Sequence, residues 1–120
     1  KMPTIKNIRF QKLDQFENSI FIADKKREPD TYQQLNGYYQ QLKESTPDIF
    51  LPIYSNQEHN YSTIRVNSQM KFETNATYSI KFSIRKVIKG EKTYINVNID
   101  RIKFLKSPPV VDIGTEILLE

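Results

Sequence analysis

A chain of 120 residues is expected to fold as one domain, and the lack of cysteine excludes disulfides, iron–sulfur clusters, thiolate zinc sites and a cysteine nucleophile. The net charge of +4 is unevenly spread. Residues 1–60 balance eight Lys/Arg against eight Asp/Glu; residues 61–106 carry ten basic residues against Glu73, Glu91 and Asp100; the tail adds only Asp112, Glu116 and Glu120.

Residues 5–10 alternate apolar and polar side chains at Ile8 and Phe10, the period of two expected of a strand, with Leu13 and Phe16 extending the pattern. Residues 19–23, Ser-Ile-Phe-Ile-Ala, predict a short strand buried on both faces. A charged loop follows, 24–30, whose Lys25, Lys26 and Arg27 are candidate phosphate contacts. The one helix is predicted at about 31–44. Thr31 and Gln34 match a capping box, Pro29 precedes them, and Tyr32, Leu35, Tyr39 and Leu42 recur at helical spacing, so that Tyr38 and Tyr39 read chiefly as packing residues. Residues 50–54 predict an edge strand, because Pro52 has no N–H to donate. Ile64 and Val66 predict another strand, and Met70 and Phe72 a further one or its continuation.

The clearest element is a β-hairpin over 77–106. Tyr78, Ile80, Phe82 and Ile84 alternate with polar residues on the way out, and Ile95, Val97 and Ile99 on the way back. The two apolar sets differ in parity, so they share a face only across an even-numbered loop, Lys89-Gly90 or four residues. The two-residue loop would pair Ile84 with Ile95, Phe82 with Val97 and Ile80 with Ile99; the other face would pair Arg85 with Tyr94, Ser83 with Asn96 and Lys81 with Asn98. Beyond Asp100 the apolar parity changes to Ile102 and Phe104, which predicts a β-bulge near Asp100-Arg101. Ser107-Pro108-Pro109 stops the sheet, dividing the chain into a domain at 1–106 and a tail at 107–120 whose apolar-acidic alternation fits a last strand or a partner-docking segment.

Catalytic patterns are missing from the sequence. His59 is the single histidine, three glycines cannot build a phosphate-cradling loop, and no nucleophile elbow or zinc-binding pair is present, so an enzyme is not expected and no cofactor or metal is. No apolar run approaches the roughly 20 residues of a membrane-spanning helix. The chain is expected to be soluble and intracellular, in the nucleus or cytoplasm of a host cell; the sequons at Asn60 and Asn75 would matter only if it were secreted.

The predicted fold is α+β, mainly β: a small antiparallel barrel or curled sheet of five or more strands with one helix. This pattern, together with the bulged basic hairpin YSIKFSIRKVIKGEKTYINVNIDRIKFL, resembles the OB-fold single-stranded-DNA-binding proteins, including those of phages and large DNA viruses. The resemblance implies a role in DNA replication, with single-stranded nucleic acid as partner and a basic groove tracking phosphates while bases stack on tyrosines. Its candidate residues are Lys81, Arg85, Lys86, Lys89, Lys92, Tyr94, Asn96, Asn98 and Arg65, with the triplet Lys25, Lys26 and Arg27. The competing expectation is a protein-interaction or viral scaffold module without nucleic-acid contact, with a partner or a second copy docking through 107–120.

Overall fold

The computed structural model describes residues 3–11, 18–67 and 70–108. In chain order these form β1 (Thr4–Phe10), β2 (Ser19–Asp24), α1 (Pro29–Ser45), β3 (Ile53–Asn56), β4 (Tyr61–Val66), β5 (Thr77–Lys89) and β6 (Lys92–Lys106). The class is α+β, mainly β. All six strands join one antiparallel sheet in the order β3-β4-β2-β1-β5-β6. β6 nevertheless touches β4, with three strands between them in the sheet, so the sheet curls. It does not close into a barrel: no ladder links β6 to β4 or β3, and residues 48–52 stand at the gap, where Pro47 and Pro52 lack the N–H that pairing needs.

The core lies on the concave face, where the period-two pattern delivers Ile5, Ile8, Phe21, Ile64, Ile80 and Phe82, all fully buried. α1 covers it with Tyr32 and Leu35, and Tyr38 sits edge-on to Phe82 at 5.9 Å between ring centroids. The helix starts two residues earlier than the sequence pattern implied, with Pro29 in its first turn and Glu28 at the cap. No capping box forms. Thr31 and Gln34 instead donate from their side chains to the backbone carbonyls of Lys6 and Thr4, tying the helix to β1.

Met70 and Phe72 do not form the expected strand. Both edges of β5 are taken, by β1 and β6, and Phe72 packs its ring against Phe10, Phe21 and Tyr78 at 5.1–5.3 Å. The run at 50–54 pairs only from Ile53 onward, as an edge strand, with the carbonyl of Pro52 accepting from the Arg65 amide at 2.8 Å. Leu13, Phe16 and the tail from residue 109 lie outside the described residues.

The hairpin has the expected faces in a shifted register. Its turn is Gly90-Glu91 rather than Lys89-Gly90, so Ile84 opposes Val97, Phe82 opposes Ile99 and Ile80 opposes Ile102. Gly90 has φ +62 and Glu91 does not have positive φ, the arrangement of a type II′ turn. The alternative loop would have put Lys89 first, where the tight hairpin turns require a positive φ that lysine disfavours. A slip of two preserves parity, so every side chain keeps its face. The bulge falls at Asp100: Lys81 opposes Arg101 and Phe82 opposes Ile99.

Candidate nucleic-acid interface

Convex-face side chains of β5 and β6 follow from that register. Ser79 opposes Lys103, Lys81 opposes Arg101, Ser83 opposes Asn98, Arg85 opposes Asn96 and Val87 opposes Tyr94. Four cations therefore stand in two cross-strand columns with hydroxyl and amide groups between them. Tyr94 does not pair directly with Arg85 but sits one position nearer the turn on the same face, 43% exposed. Lys106, opposite Thr77, continues the row. None of these cations makes an ion pair with a described residue; the ion pair that does form, Arg9 with Glu28, lies elsewhere.

The remaining expected contacts are more dispersed. Lys86 opposes Ile95 on the other face, exposed beyond the reach of the core, and Lys89 and Lys92 flank the turn. The triplet Lys25, Lys26 and Arg27 lies at the far end of β2 from Asn18, in a turn built by carboxylates: the Lys26 amide donates to Asp24 Oδ1 at 2.7 Å and the Asp24 amide to Glu28 Oε1 at 2.8 Å. Neighbouring acids offset its charge, and the fold does not bring it to the hairpin.

Where β6 approaches β4, its free edge borders a cleft of about 590 Å³. Lys92, Tyr94, Asn96 and Asn98 line one side, and Phe50, Pro52, Arg65 and Asn67 the other. The Arg65 guanidinium lies over the Phe50 ring, 5.1 Å from its centroid. Five expected residues thus meet here: Arg65, Lys92, Tyr94, Asn96 and Asn98.

Arg101, Lys103 and Phe50 were not among the expected site residues. The parity change at Asp100 was the signal for the first two, since a bulge there turns Arg101 and Lys103 onto the face of Lys81. For Phe50 the signal was Pro52: a break in pairing leaves the aromatic before it without a cross-strand neighbour to cover it.

Among the described residues no group of three His, Asp or Glu side chains is placed to hold a metal ion, and no helix is long and apolar enough to cross a membrane. Compared with known proteins, the chain matches no family model, no curated protein and no solved structure.

Proposed function

We propose that this domain binds single-stranded nucleic acid, DNA foremost, without sequence preference, as an open relative of the OB-like barrels. Phosphates lie along the convex face of β5 and β6, and bases turn toward Tyr94. One observation carries this reading: Lys81, Arg85, Arg101 and Lys103 share one face in register, against the single acid Asp100 at the bulge, and none of the four makes an ion pair with a described residue. Like charges placed across a ladder destabilise it slightly, so their concentration here is a cost to folding that a bound polyanion offsets. The half-exposed Tyr94 favours a strand whose bases are free to stack.

The test is fluorescence anisotropy with labelled oligo-dT and a duplex of equal length, at 50 and 200 mM salt. Tighter binding of the single strand, weakening steeply with salt, is expected. Failure to bind at low salt, or affinity indifferent to salt, overturns the proposal. That outcome would favour a protein-interaction module, which the unpaired edge of β6 and the exposed Ile88, Phe104 and Leu105 also fit.

A further inference from the structure

We infer that the cleft between β6 and β4 is the base-binding part of this interface and that Phe50 is its stacking platform; the inference rests on the single-strand reading above. Phe50 is 71% exposed, an unusual state for a phenylalanine beside a folded sheet. Arg65 covers one face of the ring, fixing its orientation by a cation–π contact and leaving the other face open. Tyr94 borders the same cleft from β6. A flat, uncharged ligand with a π-face fits between such rings, and about 590 Å³ is within the range of small-molecule sites.

Charge assigns the cleft to bases rather than phosphates. Its two cations, Arg65 and Lys92, are matched by Asp48 and Glu91, whereas on the convex face of β5 and β6 Lys81, Arg85, Arg101 and Lys103 outnumber the one acid, Asp100 at the bulge. A phosphate gains little in the cleft, and a neutral base loses nothing there. Asn18, Asn67, Asn96 and Asn98 line it with amides that make no side-chain hydrogen bond to a described residue. Each amide offers two donors and one acceptor, enough to meet the edge of any base. Phe50 and Arg65 also border a second hollow of about 380 Å³ that reaches Tyr39, Lys43 and Tyr54, so a strand stacked on Phe50 has a way out of the cleft.

The chain contains no tryptophan, so a Phe50→Trp variant reports from that one position. Its emission should be quenched by oligo-dT with the midpoint seen in anisotropy. A strand of abasic deoxyribose phosphates should still bind at low salt without quenching. Phe50→Ala should weaken oligo-dT binding roughly 5- to 150-fold, the range of one lost stacking contact, and leave the salt slope unchanged. The inference is overturned, with the proposed function intact, if the parent binds oligo-dT in a salt-dependent way while the Phe50→Trp emission does not move and Phe50→Ala binds like the parent. If the parent binds no single strand at any salt, the function itself is wrong and this inference falls with it.

Discussion

The half of the sheet beneath α1 and the β5–β6 hairpin use their polar side chains in opposite ways. In the first, polar groups end on one another: Arg9 Nε donates to Glu28 Oε2 at 2.8 Å, Ser62 Oγ lies 2.9 Å from Ser55 Oγ and 3.2 Å from the Tyr32 carbonyl, and Thr31 and Gln34 hold β1. In the hairpin the inner face is core, yet on the outer face no cation or amide is bonded to a described side chain. Polar groups that satisfy one another build a scaffold; polar groups held in register and left to solvent are available to a ligand.

Substitutions can break this contrast, and the largest effect belongs to the core. Phe82→Ala, at a fully buried ring, should cost about 3–5 kcal/mol in denaturant unfolding, and a midpoint like the parent's would show that the concave face is not the core. Glu28→Ala should cost about 3 kcal/mol by stranding Arg9, 11% exposed, without its partner; oligo-dT affinity at a temperature where the variant remains folded should not change. Tyr94→Ala reverses that pattern, with stability nearly unchanged and binding weaker by about 1–3 kcal/mol at constant salt slope. If Tyr94 merely packs on its neighbours, the binding loss is absent. The smallest effect is expected from neutralising Lys25, Lys26 and Arg27 together, since acids neighbour them and the fold keeps them at the far end of β2; a binding loss as large as that of Tyr94→Ala would redraw the interface.

Local periodicity made most of the architecture legible. Strand alternation at 77–106 gave the faces of the hairpin and the bulge at Asp100, because parity is a property of the sequence itself. The register was out by two residues, since moving a two-residue loop by one position shifts the pairing by two and leaves parity unchanged; only the φ requirement at Gly90 distinguishes the two loops. Thr31 and Gln34 fitted a cap by spacing, but their choice of the Lys6 and Thr4 carbonyls depends on how α1 lands on β1, a long-range contact that no local pattern contains. The cleft was illegible for the same reason. Phe50, Arg65 and Tyr94 meet only because the sheet curls until β6 reaches β4.

The central claim, that the convex face of the hairpin carries the phosphate contacts, is tested most directly by the salt dependence of oligo-dT binding in a Lys81→Gln/Arg85→Gln/Arg101→Gln variant. All three side chains are exposed, so the fold should survive with little loss of stability. The slope of log affinity against log salt should become shallower by roughly 0.7 for each phosphate contact removed. A folded variant that keeps the parent's slope and affinity would contradict the account and leave this face as solvated surface.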